Sequence, residues 1–182
     1  MIKWFTHRYI RNFERRYAYD GTYMHELADI SASAFGRFAM MQTAGGQWRG
    51  DAPKDACFAA GIAGALVEDC GPCVQIASDM AVEAGMAPDI IRALLSGAPT
   101  HADAQLGFDY GRALLLGDDK LDGLREAIEA RWGRKALIAL SLRAMSARNF
   151  PVLKRAMGHA KTRQRVRVGN SEIAVHPTLK AA

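Results

Sequence analysis

The stretch Glu68-Asp69-Cys70-Gly71-Pro72-Cys73-Val74-Gln75-Ile76-Ala77-Ser78-Asp79-Met80-Ala81-Val82-Glu83-Ala84-Gly85-Met86 decides how this chain is read. Proline is favoured at the first helical position, where the missing N–H has no intrahelical bond to make, so Pro72 marks a helix start. Cys70 then stands just before the helix and Cys73 within its first turn. Ala77, Met80, Ala81 and Ala84 line one face, and Gly85 occupies the place where a left-handed residue ends a helix. Two cysteines spaced in this way at a helix start can bring their sulfurs within bonding reach.

Helical periodicity continues on both sides. Upstream, Pro53 opens a helix that runs through Ala56, Ala60, Ala63 and Leu66 to the dithiol. Before it, Leu27, Ile30, Ala34, Phe38 and Met41 mark one face of a helix ending near Gly45-Gly46. From Met1 to about Tyr17, Trp4, Ile10, Phe13 and Tyr17 alternate with basic residues, predicting an amphipathic helix whose aromatic face packs on the body or on another subunit, with a membrane surface as the alternative. Downstream, Pro88-Asp89 starts a helix with Ile91, Leu94 and Leu95 inward and Gly97 as its stop. Thr100-His101-Ala102-Asp103 resembles a capping box ahead of Leu106, Tyr110, Ala113 and Leu114. Leu121, Leu124, Ile128 and Trp132 form a further stripe ending at Gly133. The last long helix carries Leu137, Leu140 and Ala144, with Pro151 bending or restarting it. Only the tail differs: Arg165 to Val168, Gly169-Asn170 and Ser171 to Val175 read as a small β-hairpin or an extended arm, whose order would imply pairing with a neighbouring chain.

The expected fold class is therefore all-α, a single domain over 1–182 with an N-terminal amphipathic helix (1–20), a helical core (22–158) and a basic arm (161–182). A chain of 182 residues with 49% hydrophobic and 24% charged residues fits a globular domain with a sizeable core rather than disorder or a disulfide scaffold. The net charge of +5 is concentrated at the ends: Lys3, Arg8, Arg11, Arg15 and Arg16 on one side, Lys161, Arg163, Arg165 and Arg167 on the other. The middle shows no basic groove or base-stacking motif, so these ends are read as solvated surface and no nucleic-acid partner is expected. The most apolar run, Ala56 to Val67, is too short to span a bilayer. With no secretory signature and only three cysteines, a reducing cytoplasm is the expected compartment.

The chemistry of the pair follows from its position. Unpaired N–H groups and the positive end of the helix dipole favour thiolate over thiol. A thiolate attacks a peroxide O–O bond, and the sulfenic acid so formed condenses with the second thiol to a disulfide that an external reductant must reopen. Other readings of the pair are a structural zinc site, which would need two more ligands, and two idle core cysteines. Cys57, inside an apolar helix, reads as a small buried hydrophobe. The tetrapeptide Cys-Gly-Pro-Cys also invites a thioredoxin fold, but the alternating strands of that fold are missing. No nucleotide fingerprint, haem motif or metal cluster is legible, and no cofactor is expected.

Taken with its setting, Glu68 to Val74 through Ala81, Ala84-Gly85-Met86 resembles the alkylhydroperoxidase AhpD-like, carboxymuconolactone decarboxylase-like family. There a Cys-x-x-Cys opens a helix, and Ala-x-x-x-Gly-Leu/Met and a second short helix follow, as Pro88 to Leu95 does here. Ala136 to Gly158, with Asn149-Phe150 and Leu153-Lys154-Arg155-Ala156, looks like the family's closing helix, so the similarity covers about residues 22–158. The resemblance implies an all-helical fold, homo-oligomers, and thiol-dependent reduction of a peroxide or disulfide substrate by the active members. It also implies that Cys73 meets peroxide and Cys70 resolves it. Two positions depart from the pattern: the family's helper histidine is replaced by Ala77, and its upstream glutamate by Phe58. Glu68, two residues before Cys70, is the candidate to take over proton handling, and Asp69 is read as an N-terminal cap. His25 and His101 are placed by no motif. The alternatives to a dithiol oxidoreductase are a lactone decarboxylase-like lyase, which needs acid/base groups rather than a dithiol, and a non-catalytic oligomeric protein using the pair as a redox switch.

Overall fold

The computed structural model describes residues 2–159, 165–169 and 171–175. The fold is all-α with one small hairpin: α1 (Ile2–Tyr17), α2 (Thr22–Ile30), α3 (Ala32–Met40), α4 (Lys54–Leu66), α5 (Gly71–Glu83), α6 (Pro88–Ser96), α7 (Ala102–Leu116), α8 (Leu121–Ala156), β1 (Arg165–Val168) and β2 (Ser171–Ala174). A single π-helical turn, Met41–Gly45, continues α3. No helix among the described residues is long and apolar enough to cross a membrane.

Helix α4 is the centre of the molecule, and its composition explains why. Its residues from Ala56 to Leu66 are buried apart from Phe58, on all sides rather than along a stripe. Small side chains let its neighbours come close. A Cβ on Gly107 of α7 would lie 2.3 Å from the carbonyl oxygen of Ala56, and one on Gly64 would lie 2.3 Å from that of Ala144 in α8. Backbone therefore packs on backbone at both faces of α4.

Local signals set most boundaries. Gly85, Gly97 and Gly117 take left-handed conformations (φ 83°, 73° and 69°) after α5, α6 and α7. The stretch from Leu27 to Met41 is two helices, not one. Ser31 is extended (φ −157°, ψ 106°), and its hydroxyl accepts from the Ala34 N–H at 3.1 Å, capping α3. The expected capping box at Thr100 and Asp103 does not form: His101 occupies the cap of α7 without a side-chain cap bond, and Asp103 pairs with Arg131 at 2.5 Å instead. Within α8 the break falls at Gly133 (φ 80°, ψ 173°), whereas the helix runs on through Pro151.

Helix α1 packs through Ile10, Phe13 and Tyr17 against α2, α3 and the end of α8, leaving Trp4, Phe5 and Tyr9 exposed. The hairpin is ordered against its own chain, which corrects the expectation that order would need a neighbouring one. Val166 and Val168 enter the core beside α5 and α6. Gln75 of α5 holds the outer edge of β1 as another strand would: its amide donates to the Arg167 carbonyl at 2.6 Å and accepts from the Arg167 N–H at 2.7 Å. Asn170 of the expected Gly-Asn turn lies outside the described residues, as do Lys161 and Arg163 of the basic arm.

Candidate functional site

The dithiol sits where α4 turns into α5. After Leu66 the chain reverses through Val67–Asp69, and Asp69 adopts a left-handed backbone (φ 48°), which aspartate tolerates better than most residues. Cys70 is the cap residue of α5, with no side-chain cap bond, and its carbonyl accepts from the N–H groups of Cys73 (2.9 Å) and Val74 (3.0 Å). Asp69 thus shapes the turn and does not occupy the expected cap position. Cys70 and Cys73, with Cα atoms 5.3 Å apart, are joined as a disulfide. Both are buried, at 7% and 6% exposure, within the apolar cluster of α4, α5, α6 and the hairpin.

Cys73 also lines a cavity of about 70 Å³, enclosed by Phe13, Ile76, Ala77, Met80 and Phe150 on its apolar sides. Ala77, where the resembled family carries a histidine, is part of this wall. Three polar side chains share the space: Gln42 from the π-helical turn, and Arg143 and Ser146 from α8. The Gln42 Nε2 atom is buried and makes no hydrogen bond among the described residues. Arg143 lies over the Phe58 ring at 4.9 Å, and its Nη1 donates to the Gly46 carbonyl at 2.9 Å. Burial lowers the Arg143 pKa, with the charge of Cys57 opposing, yet a guanidinium remains a cation at neutral pH. Tyr19 closes one side; its hydroxyl is pushed up to about 12 by burial, and the buried Lys154 ammonium lies 4.7 Å from its ring centre.

Glu68 is placed beside the dithiol in sequence but does not line the cavity. Its carboxylate, 5% exposed, is bound by Arg148 on one oxygen and Arg155 on the other, tying the α4–α5 turn to α8. Cys57 is the free cysteine, and burial pushes its thiol up to about 11 against the opposing charges of Arg143 and Arg49. Such a thiol is a poor nucleophile at neutral pH. His25 stacks on His7, with their Nδ1 atoms 2.6 Å apart, and its Nε2 faces Glu14 at 3.2 Å. Neither His25 nor His101 lines the cavity. Among the described residues no group of three or more His, Cys, Asp or Glu is arranged to hold a metal.

Gln42, Arg143 and Ser146 were not singled out by sequence reasoning. For Arg143 a signal existed: it falls three residues after Leu140, on the inward stripe of α8, where a charge is out of place unless it has work to do. Gln42 had none, because a π-helical turn changes which side chains face inward. No protein-family model, curated protein or solved structure matches the chain.

Proposed function

We propose that this protein is a thiol-dependent oxidoreductase that reduces a hydroperoxide through Cys73 and Cys70. The observation that carries the reading is the placement of a bonded cysteine pair at the start of α5, with Cys73 on the wall of a cavity that also holds a cation. In the reduced protein the helix N-terminus and the Arg143 charge favour the Cys73 thiolate. That thiolate takes the terminal oxygen of ROOH: an S–O bond forms, the O–O bond breaks, and the departing alkoxide gains a proton to leave as ROH. Gln42 Nε2 and Arg143 are the donors available to the departing oxygen. The Cys70 thiol then attacks the sulfenic acid, closing the disulfide and releasing water. Two equivalents of an external thiol reopen it, forming their own disulfide, so the sum is ROOH + 2 R′SH → ROH + H₂O + R′SSR′.

On this reading the chain is a homo-oligomeric relative of the alkylhydroperoxidase AhpD-like family, working in a reducing compartment such as the cytoplasm. The test is a peroxide titration and thiol pKa measurement of wild type beside Cys70→Ser and Cys73→Ser. Wild type consumes peroxide and closes the disulfide, and it turns over with a regenerating thiol. Cys70→Ser stops at a trappable sulfenic acid, and Cys73→Ser is inert. Peroxide consumption that survives Cys73→Ser refutes the proposal. A second reading, a redox switch without turnover, is favoured by the low exposure of both sulfurs. It predicts disulfide closure without catalytic consumption of the regenerating thiol.

A further inference from the structure

The cavity at Cys73 has a larger neighbour. A groove of about 580 Å³, within the size range of small-molecule sites, is bordered by Arg16, Trp48, Arg49, Lys54 and Phe58. It shares Gly46, Met80 and Arg143 with the Cys73 cavity, so Arg143 stands at the junction of the two. Its charges come from α1, the loop before α4, α4 itself and α8, which is why the sequence shows no basic run there.

The charge balance of this groove is uneven. Glu83 is the carboxylate that borders it, and Glu83 is already held by Arg16 at 2.9 Å and by the Tyr17 hydroxyl at 3.0 Å. Lys54 donates to the Gly85 carbonyl at 3.1 Å, and Arg143 to that of Gly46. Neither these two nor Arg49 has an ion pair with a carboxylate among the described residues. Three cations therefore surround an otherwise apolar floor of Trp48, Phe58 and Met80. Of the three, Arg143 is the one withdrawn from water, where a cation without a counter-charge is costly and a nearby anion relieves that cost; Arg49 is exposed and Lys54 partly so, and both are accessible to an arriving carboxylate. The approach of Arg143 is also built into α4: a Cβ on Gly61 would lie 2.8 Å from its Nε.

We infer that the groove binds an amphipathic organic carboxylate, with the acid group at Arg49 and Lys54 and the apolar stem on Trp48, Phe58 and Met80. Resting on the function proposed above, the substrate class is then a carboxylate-bearing organic hydroperoxide whose far end reaches Cys73 past Arg143. The chemistry is the balanced step already written, with R carrying the acid.

Octanoate and octanol are the probes for binding, titrated into the oxidised Cys70–Cys73 protein by calorimetry and by Trp48 fluorescence in a Trp4→Phe/Trp132→Phe background. Octanoate is expected to bind and to perturb Trp48, octanol to bind about tenfold more weakly or worse, and Arg49→Ala/Lys54→Ala to weaken octanoate about tenfold or more. Equal affinity for the two probes, or an octanoate affinity unmoved by the double substitution, overturns the inference. In turnover, the ratio of kcat/KM for a hydroperoxy fatty acid over tert-butyl hydroperoxide is expected to fall about tenfold in the same variant. If octanoate binds as described but no hydroperoxide is consumed, the groove stands and the oxidoreductase reading fails. If both hydroperoxides are consumed alike and octanoate does not bind, the reading stands and the groove assignment fails.

Discussion

Substituting Gly107 by alanine tests the packing that holds α4, the helix leading into the dithiol turn, against α7. The new Cβ would stand 2.3 Å from the Ala56 oxygen, 2.7 Å from its Cα and 2.8 Å from its carbonyl carbon, where ordinary contact begins at 3.4 Å. Closing that gap requires α7 to retreat from α4 by about 1 Å, because the atoms it meets are backbone and cannot swing aside. Helix α4 cannot yield in the other direction either, since Gly64 already brings it equally close to Ala144 of α8. Overpacking of this kind costs ~1–3 kcal/mol, with backbone overlap at the upper end. Alanine returns up to about 1 kcal/mol of helix propensity, leaving a net loss of about 2 kcal/mol. Gly36→Ala is the control: it sits on the exposed face of α3 with nothing within 4 Å of the new atom, so only propensity acts. It should gain about 0.5–1 kcal/mol. Urea unfolding followed by far-ultraviolet circular dichroism, with the disulfide closed in all three proteins, reads both changes as midpoint shifts of opposite sign. A Gly107→Ala protein as stable as wild type, or a shift in the same direction for both, would refute the account of α4 as a helix packed backbone to backbone.

The raised Cys57 thiol makes stability depend on alkaline pH. Its pKa is about 11 folded against the ordinary thiol value of 9.0, so its stabilising protonated form is intact below pH 9 and lost as pH rises towards 11. By pH 10.5 wild type should have lost about 2 kcal/mol that Cys57→Ala does not lose, and parallel urea-midpoint profiles for the two proteins would contradict this. Glu68→Gln removes the charge that Arg148 and Arg155 share and should cost about 1–2 kcal/mol, discounted because both arginines are about half exposed. If Glu68 only tethers the turn, Arg148→Gln will slow turnover in parallel; if it handles the thiol proton, the rate loss and the shift in thiol pKa will be confined to Glu68→Gln. Gln75→Ala deletes both bonds to Arg167, and the Arg167 amide should then exchange about tenfold faster; unchanged protection would mean that Val166 and Val168 suffice to dock the hairpin.

What could be read from the residues alone is what neighbours in the chain impose on one another. Pro72 starts α5, Gly85 and Gly97 end helices, and the alternation around Val166 and Val168 forms strands, because each effect acts over a few residues of backbone. The all-α class and the meeting of Cys70 with Cys73 follow from the same short-range rules. The environment of the pair does not. Gln42, Arg143 and Ser146 converge from segments about one hundred residues apart, and the basic groove joins α1, a loop, α4 and α8. Ser31 breaks a continuous apolar pattern, and Glu68 meets Arg148 and Arg155 across 80 and 87 positions. Burial and pairing of charge depend on which surfaces meet, and that is set by how tightly α7 and α8 can close on the small residues of α4.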